Sequence, residues 1–89
     1  MRIVAVCGMG IGTSVLLKMN IEKALDELGV EGVVDAADIT AAKGVAQGAD
    51  LVVTSEELLS QLESLPVDVV AVKNFMDLAE ITDTLDEYV

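Results

Sequence analysis

The stretch Arg2-Ile3-Val4-Ala5-Val6-Cys7-Gly8-Met9-Gly10-Ile11-Gly12-Thr13-Ser14 decides the fold of this 89-residue chain. Residues 2–6 are a short run rich in β-branched side chains, and a cluster of three glycines ends it, as expected of a strand followed by a tight turn. From position 13 to 28 the apolar residues Leu17, Ile21, Ala24, Leu25 and Leu28 recur at helical spacing. Gly29 then supplies a helix stop. A strand, a glycine turn and a helix in direct succession open an α/β pattern.

The same alternation continues outward. Residues 32–35 read as a second strand and 39–46 as a short helix ended by Gly48. Residues 49–53 read as a third strand. Ser55 is a candidate N-cap for a helix whose apolar side is Leu58, Leu59 and Leu62. The only proline, Pro66, opens a fourth strand over 67–72, where a missing N–H matters least. Asp77 starts a last helix with Leu78, Ile81, Leu85 and Tyr88 on one face. The order βαβαβαβα implies right-handed crossovers and an α/β fold: a four-stranded parallel sheet with helices on both faces. The expected strand order is 2-1-3-4, a Rossmann-like arrangement resembling the low-molecular-weight phosphatases. Ligands of such sheets bind at the carboxyl ends of the strands, where the order reverses. The Cys7 loop falls there.

Bulk properties narrow the function. The length leaves room for one small domain, 1–89, without a second core. Hydrophobic residues form 53% of the chain and aromatic ones 2%, so Val, Leu, Ile and Ala fill the interior and disorder is excluded. A net charge of −11 argues against nucleic acid and against an anionic membrane surface. No apolar run spans a bilayer, and residues 1–7 are too short and too uncharged for a secretory signal. A single cysteine cannot staple the domain, which fits the reducing cytoplasm. The absence of histidine removes Ser-His and Cys-His pairs and any phosphohistidine in this chain. Neither a cofactor nor a metal is expected.

Cys7 stands between a strand end and a helix N-terminus. Alternate glycines let the backbone turn and aim successive N–H groups inward as an anion nest. The helix terminus adds unpaired donors and partial positive charge, which favours a thiolate and would cradle a phosphoryl group attached to it. Arg2, Lys18 and Lys23 against Glu22 make the first 24 residues basic within an acidic chain, which supports an anion site. Familiar phosphate loops do not match. A Walker A loop needs a lysine after Gly12, and the dinucleotide fingerprint needs glycine at Thr13. Cys7 and Ser14 have the spacing of the cysteine-phosphatase loop, but Thr13 stands where that loop has arginine. Without the guanidinium fork that stabilises a transferring phosphoryl group, the loop accepts phosphate and hydrolyses it poorly. Those are the properties of a carrier.

On these residues the sequence resembles the IIB components of the sugar phosphotransferase system, and within them the ascorbate-type branch of the ascorbate/galactitol group. The resemblance rests on the strand, Cys7-Gly-x-Gly-x-Gly-Thr-Ser and the long helix. It extends to Ala49-Asp50 and to the turn Val72-Lys73-Asn74, so it covers essentially the whole chain. It implies that Cys7 accepts a phosphoryl group from a phosphohistidine on a IIA protein. Cys7 would then pass it to a sugar or sugar acid bound on the membrane-embedded IIC component, as a cytoplasmic phosphotransferase of the class EC 2.7.1.-. Carried over by position, Gly8, Met9, Gly10, Ile11, Gly12, Thr13 and Ser14 form the phosphate-binding loop. Thr54, Ser55, Lys73 and Asn74 are expected at its rim.

Plainer readings exist for each feature. A lone cysteine is usually an inert core residue. Thr13 and Ser14 would serve equally as helix caps. Met9 and Ile11 either dock a partner or pack on neighbouring loops. Lys73 reads equally as a surface lysine, and Glu56-Glu57 and Asp86-Glu87 as solvated surface. Two other functions compete with the carrier. One is a low-molecular-weight phosphatase or arsenate reductase, and the other a IIB-like module that senses phosphorylation for a regulator. The chain's extent around one domain favours a free-standing carrier, and a monomer is expected because both partners must reach one small loop.

Overall fold

A computed structural model of the chain describes every residue except Met9, Gly10 and Val89, with Ile11, Gly12 and Thr13 described by their backbone alone. The elements follow in the order β1 (Arg2–Cys7), α1 (Ile11–Leu28), β2 (Val33–Asp38), α2 (Ala42–Val45), β3 (Leu51–Ser55), α3 (Glu56–Leu62), β4 (Asp68–Val72) and α4 (Leu78–Asp86). The four strands form one sheet in the order β2-β1-β3-β4, and every pairing is parallel. The expected fold class and strand order are therefore those observed.

Strands β1, β2 and β3 bury residues on both faces, as a sheet covered on two sides requires, while β4 buries Val70 and Val72 on one face and leaves Val69 and Ala71 half-buried. Along β1, Ile3 and Ala5 face a layer made by Leu17, Ile21, Ala24 and Leu25 of α1 with Ile81 and Leu85 of α4. Val4 and Val6 face the other way, toward Ala42 and Ala46 at α2 and Leu62 of α3. Two separate cores thus sandwich β1, the central strand. The burial of Leu17 and Ile21, both fully enclosed, contributes about 1.5–3 kcal/mol each. Gly29 and Gly48, which end α1 and the turn after α2, have positive φ of 70° and 82°, a conformation that strains other residues.

Element ends differ from the sequence expectation where tertiary contacts outweigh local signals. β2 runs three residues further, through Ala36 and Ala37, because these pair with Ala5 and Val6 on the central strand. α2 is confined to Ala42–Val45, since the Asp38 carboxylate takes the N–H of Ala41 and holds 38–41 in a turn. β3 starts two residues later than expected, because Ala49 N–H bonds Ala46 and Asp50 closes on Arg2. It ends two residues later, because Thr54 and Ser55 pair with Ala71 and Val72. Tyr88 lies beyond α4 and is exposed, so it does not join the buried face of Ile81 and Leu85.

Candidate functional site

Because the strands are parallel, all four deliver their last residues to one edge of the sheet: Cys7, Asp38, Ser55 and Val72. Cys7 closes the central strand and lies in register with Asp38 of β2. It is 2% exposed, so the sulfur is recessed in the edge. Alternation along β1 places it on the same face as Ile3 and Ala5, the one covered by α1 and α4. Gly8, which follows, is exposed on one side and lies against α3 on the other. A Cβ added to it would sit 3.2 Å from Leu58 Cδ2, so a larger residue displaces the Leu58 side chain.

Only residues 8–10 separate the strand from α1, which begins at Ile11. Met9 and Gly10 lie outside the described residues. The helix start corrects one expectation: Gly12, Thr13 and Ser14 belong to its first turn, and neither Thr13 nor Ser14 occupies the cap position. Ser14 is fully buried. An 18-residue helix brings unpaired first-turn N–H groups and partial positive charge to its start, and no acidic residue stands in that turn to neutralise them. This terminus follows Cys7 directly on the carboxyl edge. A helix start of this kind favours an anion placed near it.

The rim residues divide. Thr54 is fully buried, and its hydroxyl donates to the Val6 carbonyl oxygen at 3.0 Å, so it holds the strand end that carries Cys7. Ser55 occupies the N-cap position of α3, as expected, but its side chain makes no capping hydrogen bond. Lys73 and Asn74 are exposed beyond β4. Their backbone N–H groups donate to the two oxygens of Glu80, at 2.7 and 3.0 Å, while Asn74 Oδ1 accepts from Met76 N–H at 2.9 Å.

The sole arginine is elsewhere. Arg2 begins β1, at the opposite end of the strand from Cys7, roughly 16 Å away at about 3.3 Å per residue. It pairs with Asp35 at 2.9 Å. It adds nothing to the charge at Cys7, which corrects the reading of residues 1–24 as one basic neighbourhood. Lys18 is half-buried in the second turn of α1.

Three residues of this edge escaped sequence reasoning. Asp38 ends β2 beside Cys7, and its Oδ1 receives Ala41 N–H at 2.8 Å. Asp side chains commonly accept a backbone N–H a few residues on and so hold a turn, which is the signal that marks this position. Glu80 and Asn20 shape the loop after β4, Asn20 Nδ2 donating to the Phe75 carbonyl at 2.7 Å. Nothing local in the sequence announces that contact across 55 residues. Two surface hollows, one between Glu22 and Gly32 and one between Ala49 and Asp68, open at the amino edge of the sheet and have no basic lining residue. Chemistry at Cys7 makes no use of them.

Comparison with known proteins shows the family of the chain. The family model described as "PTS system, Lactose/Cellobiose specific IIB subunit" matches residues 2–87. The ascorbate-specific PTS system EIIB component of Mycoplasma pneumoniae is 36% identical over 88 residues, covering 98% of this chain and 93% of that protein. The protein of the same name from Salmonella choleraesuis is 28% identical, covering 99% and 88%. Among solved structures, the lactose-specific IIB domain of Streptococcus pneumoniae superposes with a TM-score of 0.75 at 16% identity, covering 99% of this chain and 96% of that one. At that identity the likeness speaks for the fold.

Proposed function

Since the chain belongs to the IIB component family of the sugar phosphotransferase system, we propose that it is a phosphocysteine carrier acting through Cys7. IIB components serve as phosphotransferases in sugar uptake and work with IIA and membrane IIC partners. In this chain the Cys7 sulfur attacks the phosphorus of a phosphohistidine on IIA. The S–P bond forms as the N–P bond breaks, and the imidazole leaves. A hydroxyl oxygen of the sugar on IIC then attacks the same phosphorus. The O–P bond forms, the thiolate departs, and the hydroxyl proton passes to the acceptor side or to solvent. Both steps are in-line displacements in which positioning and charge stabilisation do most of the catalysis.

The observation that carries this reading is the placement of the only cysteine at the carboxyl end of the central strand, directly before the N-terminus of an 18-residue helix. The first-turn N–H groups of Ile11, Gly12 and Thr13 hold the phosphoryl oxygens, together with Gly8, Met9, Gly10 and Ser14. Ser55, Lys73 and Asn74 stand at the rim, and Thr54 supports it from below. The chain lacks histidine, so the phosphohistidine belongs to the donor. Its one arginine sits at the far end of β1 and is paired with Asp35. A phosphatase needs that guanidinium at the phosphate, so the carrier reading is favoured over hydrolysis.

Ascorbate, or a closely similar sugar acid, is the proposed cargo, because relatives spanning nearly the whole chain bear that specificity. The sugar itself sits on IIC, and no pocket in this chain has to encode its shape. We place residues 1–89 as one IIB domain, working as a cytoplasmic monomer. The test is a label chase with a phosphorylated IIA, this chain, and membrane vesicles carrying the cognate IIC. Labelled phosphoryl should pass through the chain to ascorbate with no free phosphate released. Release of inorganic phosphate without an acceptor sugar would instead identify a phosphatase.

A further inference from the structure

Cys7 and Asp38 are the last pair in register between β1 and β2. Residues in register on adjoining strands point to the same face of a sheet. The rest of this ladder obeys that rule: Ile3 and Val34 lie in one core, and Val6 and Ala37 in the other. Asp38 follows Val34 by an even number of residues, so its side chain leaves the sheet on the α1/α4 face, the face of Cys7. With the two strands about 4.8 Å apart, its carboxylate is an immediate neighbour of the sulfur. Asp38 is exposed, and its Oδ1 accepts Ala41 N–H at 2.8 Å, which anchors it at the strand end. The other acidic groups near this edge are placed differently. Glu56 and Glu57 open α3, whose Leu62 packs on the opposite face of the sheet, and Glu80 is held by the N–H groups of Lys73 and Asn74.

Two opposed influences therefore meet at Cys7. The start of α1 favours an anion, with no acidic residue in its first turn. Asp38 does the reverse. A phosphorylated side chain carries nearly two negative charges at neutral pH. Acceptance of the phosphoryl group thus raises the negative charge at the sulfur, and delivery lowers it again. A fixed carboxylate at this range opposes the first step and favours the second. A cradle built of donors alone would hold the group tightly and slow its release.

We infer that Asp38 sets the transfer potential of the phosphocysteine at Cys7, its fixed charge offsetting the cradle so that the group is passed on. This rests on the carrier reading above. The bonds are those of the two displacements: S–P forms as N–P breaks, and O–P forms as S–P breaks. Asp38 makes no bond to phosphorus and takes no proton in either step. It acts through its charge on the phosphoryl oxygens.

The experiment lets the phosphorylated IIA encoded nearest the gene equilibrate with wild type, Asp38→Asn, Asp38→Ser, Asp38→Glu and Asp68→Asn, and reads the phosphorylated fraction of each by intact mass. Asn and Ser keep an oxygen for the Ala41 N–H and remove the charge, so unfolding midpoints should stay together. Asp68 is exposed at the start of β4, on the amino edge, and controls for net charge. The transfer equilibrium should move toward the phosphorylated chain about three- to tenfold in Asp38→Asn and Asp38→Ser at low salt, and less at 1 M salt. Delivery to the sugar on IIC should slow in the same two variants. Asp38→Glu and Asp68→Asn should behave as wild type. A merely structural role would lower the phosphorylated fraction. An unchanged or lowered fraction in both neutral variants, or an equal gain in Asp68→Asn, would overturn the inference. Failure of the carrier reading looks different: no protein, wild type included, gains a phosphoryl group. Alkylation of Cys7 by iodoacetamide then still reads the charge, since removing a neighbouring carboxylate favours the thiolate. It should run severalfold faster in Asp38→Asn than in wild type or Asp68→Asn, and equal rates would contradict the coupling.

Discussion

The Thr54 hydroxyl donates a 3.0 Å hydrogen bond to the carbonyl oxygen of Val6, the residue immediately before Cys7. The β1–β3 ladder has its last pair at Ala5 and Val53, so this side chain extends the join by one step toward the nucleophile. The isosteric Thr54→Val variant should lose about 1 kcal/mol of stability with the buried bond, whereas Thr54→Ser keeps the bond. Urea unfolding of both variants measures the difference, and the Val variant should also accept phosphoryl more slowly. Equal stability of Thr54→Val and wild type would show that the strand end is held by other contacts.

Helices α3 and α4 make opposite use of their cap residues. Asp77 accepts from Glu80 N–H at 3.1 Å, and Asp77→Ala should cost about 0.5–2 kcal/mol in thermal or urea unfolding. Ser55 holds the same position at α3 with no capping bond from its side chain, and Ser55→Ala should leave stability nearly unchanged. Any loss of transfer rate in that second variant then reports a role at the rim.

Glu80 joins α4 to the end of β4 through two backbone N–H groups. Glu80→Ala should leave the sheet intact but speed hydrogen exchange at Lys73 and Asn74, since both amides lose their acceptor. The destabilisation is about 1 kcal/mol, because the carboxylate is partly open to water. Protection of both amides at the wild-type level would contradict the assignment.

Arg2 and Asp35 form an ion pair whose side chains are 40% and 41% exposed. Such pairs contribute about 0–1 kcal/mol, so Arg2→Met should change the unfolding midpoint little. It should leave phosphoryl acceptance by Cys7 intact. A large drop in acceptance would mean that the only arginine serves the phosphoryl group after all.

What could be read in advance followed from short-range physics. The strand–glycine–helix start, the helical spacing of Leu17, Ile21, Ala24 and Leu25, and the Gly29 stop all lie within single elements. Their alternation leaves the order β2-β1-β3-β4 as the natural solution for parallel crossovers. Strand ends were less legible. Ala36 and Ala37 favour strands weakly by themselves and become strand through the neighbours that β1 provides. Thr54 and Ser55 looked like residues after a strand because hydroxyl side chains are common in turns, yet β4 pairs with both. At the site, Cys7 and the helix behind it were readable as one motif. The placement of Arg2 at the far edge, the neighbour Asp38 and the Glu80 clamp were not, because each depends on how distant segments meet.

The most direct test of the central claim is the intact mass of the protein after incubation with phosphoenolpyruvate, the two general phosphotransferase proteins and the IIA encoded nearest its gene. Cys7→Ser runs alongside. The account predicts one added phosphoryl group on the wild type and none on the variant. No added mass on the wild type, with IIA phosphorylated in the same tube, or equal labelling of both proteins, would contradict it.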